Sequence, residues 1–194
     1  MNSIELMVNE HKNIKRMLVV IRKYCFKVLK NEQVDYNDFY KIIDFVRNYA
    51  DKHHHGKEED YLFNRMIEEI KGPTEKLVKQ GMLVEHDLGR LYMQNLEKAL
   101  KALENGEEEA KIDIIANAVS YTDLLYRHIE KEDDVVYKFA ERNLSKETLK
   151  KLDEDCERIE RKLEKKEYKI NIKILFMNLR KRLNKYKNNC INFI

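Results

Sequence analysis

Two stretches of this chain repeat one another, and the repeat limits the folds open to it. His128-Ile129-Glu130-Lys131-Glu132-Asp133-Asp134-Val135-Val136-Tyr137 aligns without gaps on the stretch that begins at His54, pairing His54 with His128 and Glu58 with Glu132. On a helix, residues four apart lie one above the other, so each His-x-x-x-Glu aims an imidazole nitrogen and a carboxylate at one point. His55 and Glu59 share that spacing, but His55 is answered by an isoleucine. Upstream, Asn9-Glu10-His11-Lys12 matches Val84-Glu85-His86-Asp87, 43 residues separating His11 from His54 and 42 separating His86 from His128. Each unit is then a helical hairpin carrying one lone histidine and one His-x-x-x-Glu. The chain holds six histidines, of which four fall in this constellation and the other two, His53 and His55, flank His54.

The composition agrees with helix. With five Gly, one Pro and no Trp, little turn material is left for a β fold, and 38% charged residues suit long amphipathic helices. At 194 residues and 43% apolar content, one domain with a sizeable core is expected. No early apolar run resembles a signal peptide and no segment approaches the roughly 18–20 apolar residues that span a bilayer, so the expected location is cytoplasmic. Cys25, Cys156 and Cys190 lie too far apart in sequence for a local Cys-x-x-Cys motif and read as idle thiols in a reducing compartment.

Apolar residues recur at helical spacing in four long segments. The first, Ser3 to about Lys30, runs Ile4, Met7, Val8, His11, Ile14, Leu18, Ile21, Cys25 and Val28. The second, to about Ile70, runs Ile43, Val46, Ala50, His54, Glu58 and Leu62, with Asp35 as its expected cap. Lys71-Gly72-Pro73-Thr74 breaks the chain, with Thr74 expected to cap a third helix whose stripe is Val78, Met82, His86, Gly89, Met93, Leu96, Leu100 and Leu103. After Asn105-Gly106 a fourth helix, about Glu108 to Arg142, presents Ile114, Ala118, Tyr121, Leu125, His128, Glu132, Val135 and Phe139. Short loops between them specify an all-α, up-down-up-down antiparallel four-helix bundle. Counted from the loops at a rise of about 1.5 Å per residue, His11, His54, Glu58, His86, His128 and Glu132 reach one depth.

Residues 1–142 therefore form the expected ligand-bearing bundle, and residues 143–194 a C-terminal helical extension. Ser145 opens a fifth helix. A last segment, Ile170 to Leu183 and ending near Tyr186, is basic and amphipathic: residues 161–194 hold eleven Lys or Arg against Glu164 and Glu167. Packing on the bundle flank or pairing with a second copy in a homodimer is the expected use of that tail, with binding at a membrane surface the alternative. Nucleic-acid binding is not expected, since no recognised fold or aromatic platform accompanies the charge.

Four imidazoles and two carboxylates inside an apolar bundle need something to neutralise them, because a buried unpaired carboxylate costs several kcal/mol. Nitrogen and oxygen donors without thiolate suit iron or manganese, and zinc less well. Twofold sequence symmetry points to two ions, with Glu58 and Glu132 shared between them. Positions left open on such ions imply reactivity toward a small ligand. Tyr61, Tyr92, Tyr121 and Tyr126 fall near the ligand level, and Tyr121, two turns before His128, is placed to hydrogen-bond a bound ligand.

The order His, His-x-x-x-Glu, His, His-x-x-x-Glu, with His-His-x-Lys-Glu-Glu and Glu-His on four helices, resembles the hemerythrin-like HHE cation-binding domain over roughly residues 3–142. The resemblance implies a four-helix bundle around a non-haem di-iron centre that binds, senses or scavenges oxygen, peroxide or nitric oxide, with His11, His54, Glu58, His86, His128 and Glu132 as metal residues. Repair of damaged iron-sulfur centres and iron storage are the alternative functions. The oxygen carriers of that family have His-x-x-x-His on the third helix, whereas here Arg90 stands four residues after His86, so a symmetric four-histidine site is expected.

Overall fold

Low glycine and proline content and 3.6-residue stripes produce helix nearly throughout; among the described residues there is no strand. The computed structural model describes residues 2–164 and 168–185. Six helices follow in order: α1 (Ser3–Leu29), α2 (37–70), α3 (73–104), α4 (110–143), α5 (Lys146–Glu164) and α6 (Tyr168–Lys185). Among the described residues, no helix is long and apolar enough to cross a membrane.

The ends follow local chemistry. Asn2 accepts the Glu5 amide of α1 at 3.0 Å, and Asp35 accepts the Asn37 amide at the start of α2 at 3.0 Å. Thr74 does not cap α3: its hydroxyl is buried without a hydrogen-bond partner, and the chain enters α3 through Lys71 and Gly72, both at positive φ, and Pro73 in the first turn. Gly106, at φ 95°, closes α3 by donating to Leu103 at 3.0 Å while Glu107 donates to Ala102 at 3.1 Å. Ser145 Oγ accepts the Thr148 amide at 3.2 Å and opens α5.

Where the sequence reading assumed uniform α-helix, the structure has π-helical turns: Val46–His55 and Glu58–Phe63 in α2, Val78–Met82 in α3, and Glu132–Val136 in α4. A π turn bonds i to i+5 and rotates less per residue, so it shifts which side chains face inward, and such turns are frequent at functional sites. In α4 the shift is visible, since Val135, expected on the inner stripe, is 56% exposed, whereas Val136 and Tyr137 are buried.

Two separate apolar clusters result. One joins the later part of α1 (Ile14 to Val28), the start of α2 (Phe39 to Ala50), Met93 to Leu100 of α3 and Ile114 to Ile129 of α4. The other joins Ile4 and Met7 to Leu62, Phe63, Met66, Val78, Met82, Val136 and Tyr137. The histidines and their carboxylates lie at the sequence positions between the two. The extension packs on both clusters, Leu152 and Cys156 of α5 on the second and Phe176, Leu179 and Leu183 of α6 on the first. Ser3 donates to Asp153 through its amide and its hydroxyl, both at 2.7 Å. Phe176 meets Phe45 with ring centroids 5.5 Å apart, and Arg182 pairs with Asp38 at 2.9 Å, so α6 lies against the body of the protein. Lys165, Lys166, Glu167, Tyr186, Lys187 and Cys190 lie outside the described residues. Cys25 and Cys156 are buried free thiols.

Candidate metal centre

The six residues selected by the repeat, His11, His54, Glu58, His86, His128 and Glu132, are each 1% exposed or less and are brought together. His11, His54, Glu58 and Glu132 present donor atoms all within 4.8 Å of one another. His86 and His128 form a second group on the same criterion, and its third member is His55. The groups adjoin: His86 Nε2 lies 3.6 Å from Glu58 Oε2 and 3.8 Å from Glu132 Oε1, and His128 Nε2 lies 3.0 Å from Glu132 Oε1. His11 Nε2 stands 3.3 Å from Glu132 Oε2, and His54 Nε2 stands 3.7 Å from Glu58 Oε2.

His55 was not singled out by the repeat, because its partner position is an isoleucine. The π turns of α2 place it inward alongside its neighbour His54, and its ring stacks on His86 at 3.8 Å and 7°. The centre is therefore asymmetric in histidine, two on one side and three on the other. Arg90, four residues after His86, turns to Asp51 (2.6 Å), Glu59 (2.7 Å) and Asp87 (2.9 Å).

Behind the inward nitrogens runs a second layer. Each Nδ1 faces a carboxylate: His11 to Asp133 at 2.7 Å, His54 to Glu10 at 2.9 Å, His86 to Glu59 at 2.6 Å, His128 to Glu85 at 2.9 Å and His55 to Asp51 at 3.4 Å. Each carboxylate is in turn held by a cation, Lys15 on Asp133, Lys57 on Glu10, Lys131 on Glu85, and Arg90 on both Glu59 and Asp51. Metal-binding histidines are oriented in this way, with Nδ1–H donated outward and Nε2 left free to bind. The repeat contained the signal for four of these partners: Glu10 aligns with Glu85, and Glu59 with Asp133.

The inner atoms are short of partners. His54 Nε2, Glu58 Oε2 and both oxygens of Glu132 are buried without a hydrogen bond, a cost of about 1–3 kcal/mol each, or more where charged, unless a cation satisfies them. Their electrostatics show the same frustration. Burial and the neighbouring His11 push His54 down to about 4. Burial and the Glu132 carboxylate push Glu58 well above the usual range, whereas Glu132, despite burial, is held well below it by His128 and His11. Burial works against a charged His128, yet Glu132 and Glu85 raise it to about 9. Protons here partition among groups packed as a cation would require, and the clusters fit a metal site.

Two tyrosines of α4 border the centre. Tyr137, which the sequence reading did not select, donates to Glu58 Oε1 at 2.5 Å; the π turn beginning at Glu132 carries it inward, five residues on. Tyr121 is fully buried with no hydrogen-bond partner for its hydroxyl. It lines a cavity of about 280 Å³ together with Asp51, His55, His86, Gly89 and Arg90. Tyr61, Tyr92 and Tyr126 are partly buried.

No curated protein and no solved structure matches the chain. A family model does: that of the hemerythrin HHE cation binding domain matches residues 2–140, the span that supplies every donor atom of both groups, and this chain belongs to that family.

Proposed function

We propose that the chain binds two non-haem iron ions within α1–α4, in the up-down-up-down arrangement, and that residues 143–194 are an extension outside the ligand set. His11, His54, Glu58 and Glu132 would hold one ion and His55, His86 and His128 the other, with Glu58 and Glu132 reaching both. Five imidazole nitrogens and two carboxylates without thiolate favour iron over manganese or zinc. The observation that carries the reading is the combination of inward atoms without a hydrogen bond on His54, Glu58 and Glu132 with an outward carboxylate hydrogen-bonded to Nδ1 of His11, His54, His86 and His128, and one 3.4 Å from Nδ1 of His55.

Iron bound there supplies reversible redox change and open positions for oxygen, peroxide or nitric oxide. The chain's own residues shape access and polarity. The cavity bordered by His55, His86 and Tyr121 gives a small molecule a way to the three-histidine side. There the Tyr121 hydroxyl is free to donate, and the Asp51–Arg90–Glu59 cluster closes the rim with compensated charge. Tyr137 restrains Glu58 through its hydrogen bond. In this reading the protein binds, senses or scavenges a small ligand in the cytoplasm.

Metal analysis of the full-length protein purified from its native host, with an optical spectrum under air, tests the proposal. About two iron atoms per chain are expected from two donor groups sharing two carboxylates. A single tightly bound ion, or zinc alone, would overturn it.

A further inference from the structure

The repeat that pairs His54 with His128 also pairs Lys57 with Lys131, and the two halves have built the same relay, imidazole to carboxylate to lysine: His54–Glu10–Lys57 and His128–Glu85–Lys131. The settings differ. The Lys131 side chain is 49% exposed, whereas that of Lys57 is 0% exposed, because α5 lies over that side of the molecule. The ammonium of Lys131 pairs with Glu85 at the surface. At Lys57 the balance comes from Glu160 of α5, whose Oε1 lies 3.0 Å from Nζ and 3.2 Å from His53 Nε2. His53 Nε2 is also 2.9 Å from Glu10 Oε1. Glu10, His53, Lys57 and Glu160 thus form a buried cluster of two carboxylates, one ammonium and one imidazole.

Glu10 faces both ways. Its Oε1 is held by Lys57 and His53, and its Oε2 accepts from His54 Nδ1. We propose that Glu160 and Lys57 are positioning residues for His54: together they fix Glu10 so that one oxygen is committed to the cluster and the other to Nδ1–H, keeping Nε2 bare and inward. Without the Glu160 charge, the buried ammonium has Glu10 as its carboxylate partner among the described residues and draws both of its oxygens. The α5 helix, beyond the residues that match the family, therefore supports one half of the centre and not the other. The inference rests on the reading of His54 as a metal residue.

The test uses full-length chains of the parent and Glu160→Gln. In the metal-free proteins, long-range proton–nitrogen NMR of the histidines reads the tautomer directly: His54 should be the Nδ1–H form in the parent and a mixture in E160Q. Anaerobic titration with ferrous iron should show one of two equivalents weakened by about 10–100-fold in E160Q, the usual effect of losing an outer partner of a metal histidine, with the other unchanged. Should E160Q fail to fold, Glu160→Asp keeps the charge on α5 but shortens its reach to Lys57, and carries the same expectations in smaller measure. An unchanged His54 tautomer, or equal weakening of both equivalents, would overturn the proposal and reduce Glu160 to a stabilising contact. A parent chain that takes up no iron would overturn the metal reading instead, and the tautomer would still decide the role of Glu160.

Discussion

Removing the hydroxyl from Tyr137 and from Tyr121 should affect the metal-free protein very differently, although both rings are fully buried on the same helix. The phenol of Tyr137 donates to Glu58 Oε1, an acceptor that is itself buried. Tyr137→Phe leaves the packing intact but orphans that oxygen, at a cost of about 1–3 kcal/mol. The Tyr121 hydroxyl has no partner to lose, so Tyr121→Phe should change stability by no more than about 0.5 kcal/mol, or raise it. For a chain of this size each kcal/mol moves the melting temperature by roughly 2–4 °C. Calorimetry of the metal-free variants should therefore place Y137F about 2–12 °C below the parent and Y121F within about 2 °C of it or above. Equal losses in the two variants would refute the assignment of the hydrogen bond and with it the inward turn of α4.

Three further outcomes are expected. Glu58→Ala or Glu132→Ala should remove most bound metal, whereas Glu59→Ala, which strips only the outer partner of His86, should keep the stoichiometry while weakening affinity by about 10–100-fold; elemental analysis and metal titration separate the two, and the reverse pattern would show the register of α2 to be wrong. His55→Ala should lose one metal equivalent of two, whereas His53→Ala should retain both; full loading of the His55 variant would restore a four-histidine centre. Phe176→Ala, at a ring wedged between Phe45 and Arg16, should destabilise the protein by about 3–5 kcal/mol in denaturant titration yet leave iron content unchanged, and loss of iron from the folded variant would show that α6 acts on the centre.

The sequence showed where the helices lie because their stripes are long and their breakers few, and it showed which six polar side chains turn inward because they replace apolar residues at core positions on four helices. It was silent on the π turns. Nothing in the composition of Asp51-Lys52-His53-His54-His55 marks a wider turn, so a 3.6-residue wheel keeps His55 off the face that His54 occupies, and the same arithmetic puts Val135 inside and leaves Tyr137 unselected. The outer carboxylates sit between these cases. Glu10, Glu85, Glu59 and Asp133 are visible in the repeat once their function is known, but each serves a histidine on another helix, a pairing that only the fold determines. Glu160 had no signal, since it answers a burial that arises when α5 docks.

The layer of histidines and carboxylates lies, in sequence position, between two apolar clusters that share helices. A continuous core transmits unfolding from end to end; an interrupted one lets each part open at its own free energy. Without a cation the junction is a plane of mutually repelling or unsatisfied groups, the weakest cross-section of the rods that pass through it. With cations seated, the same plane becomes the strongest, tying four helices at one height. In the proposed two-ion state, metal loading would decide whether the two ends of this protein behave as one cooperative unit or as two, and mechanical coupling along its length would become a property of the ligand set.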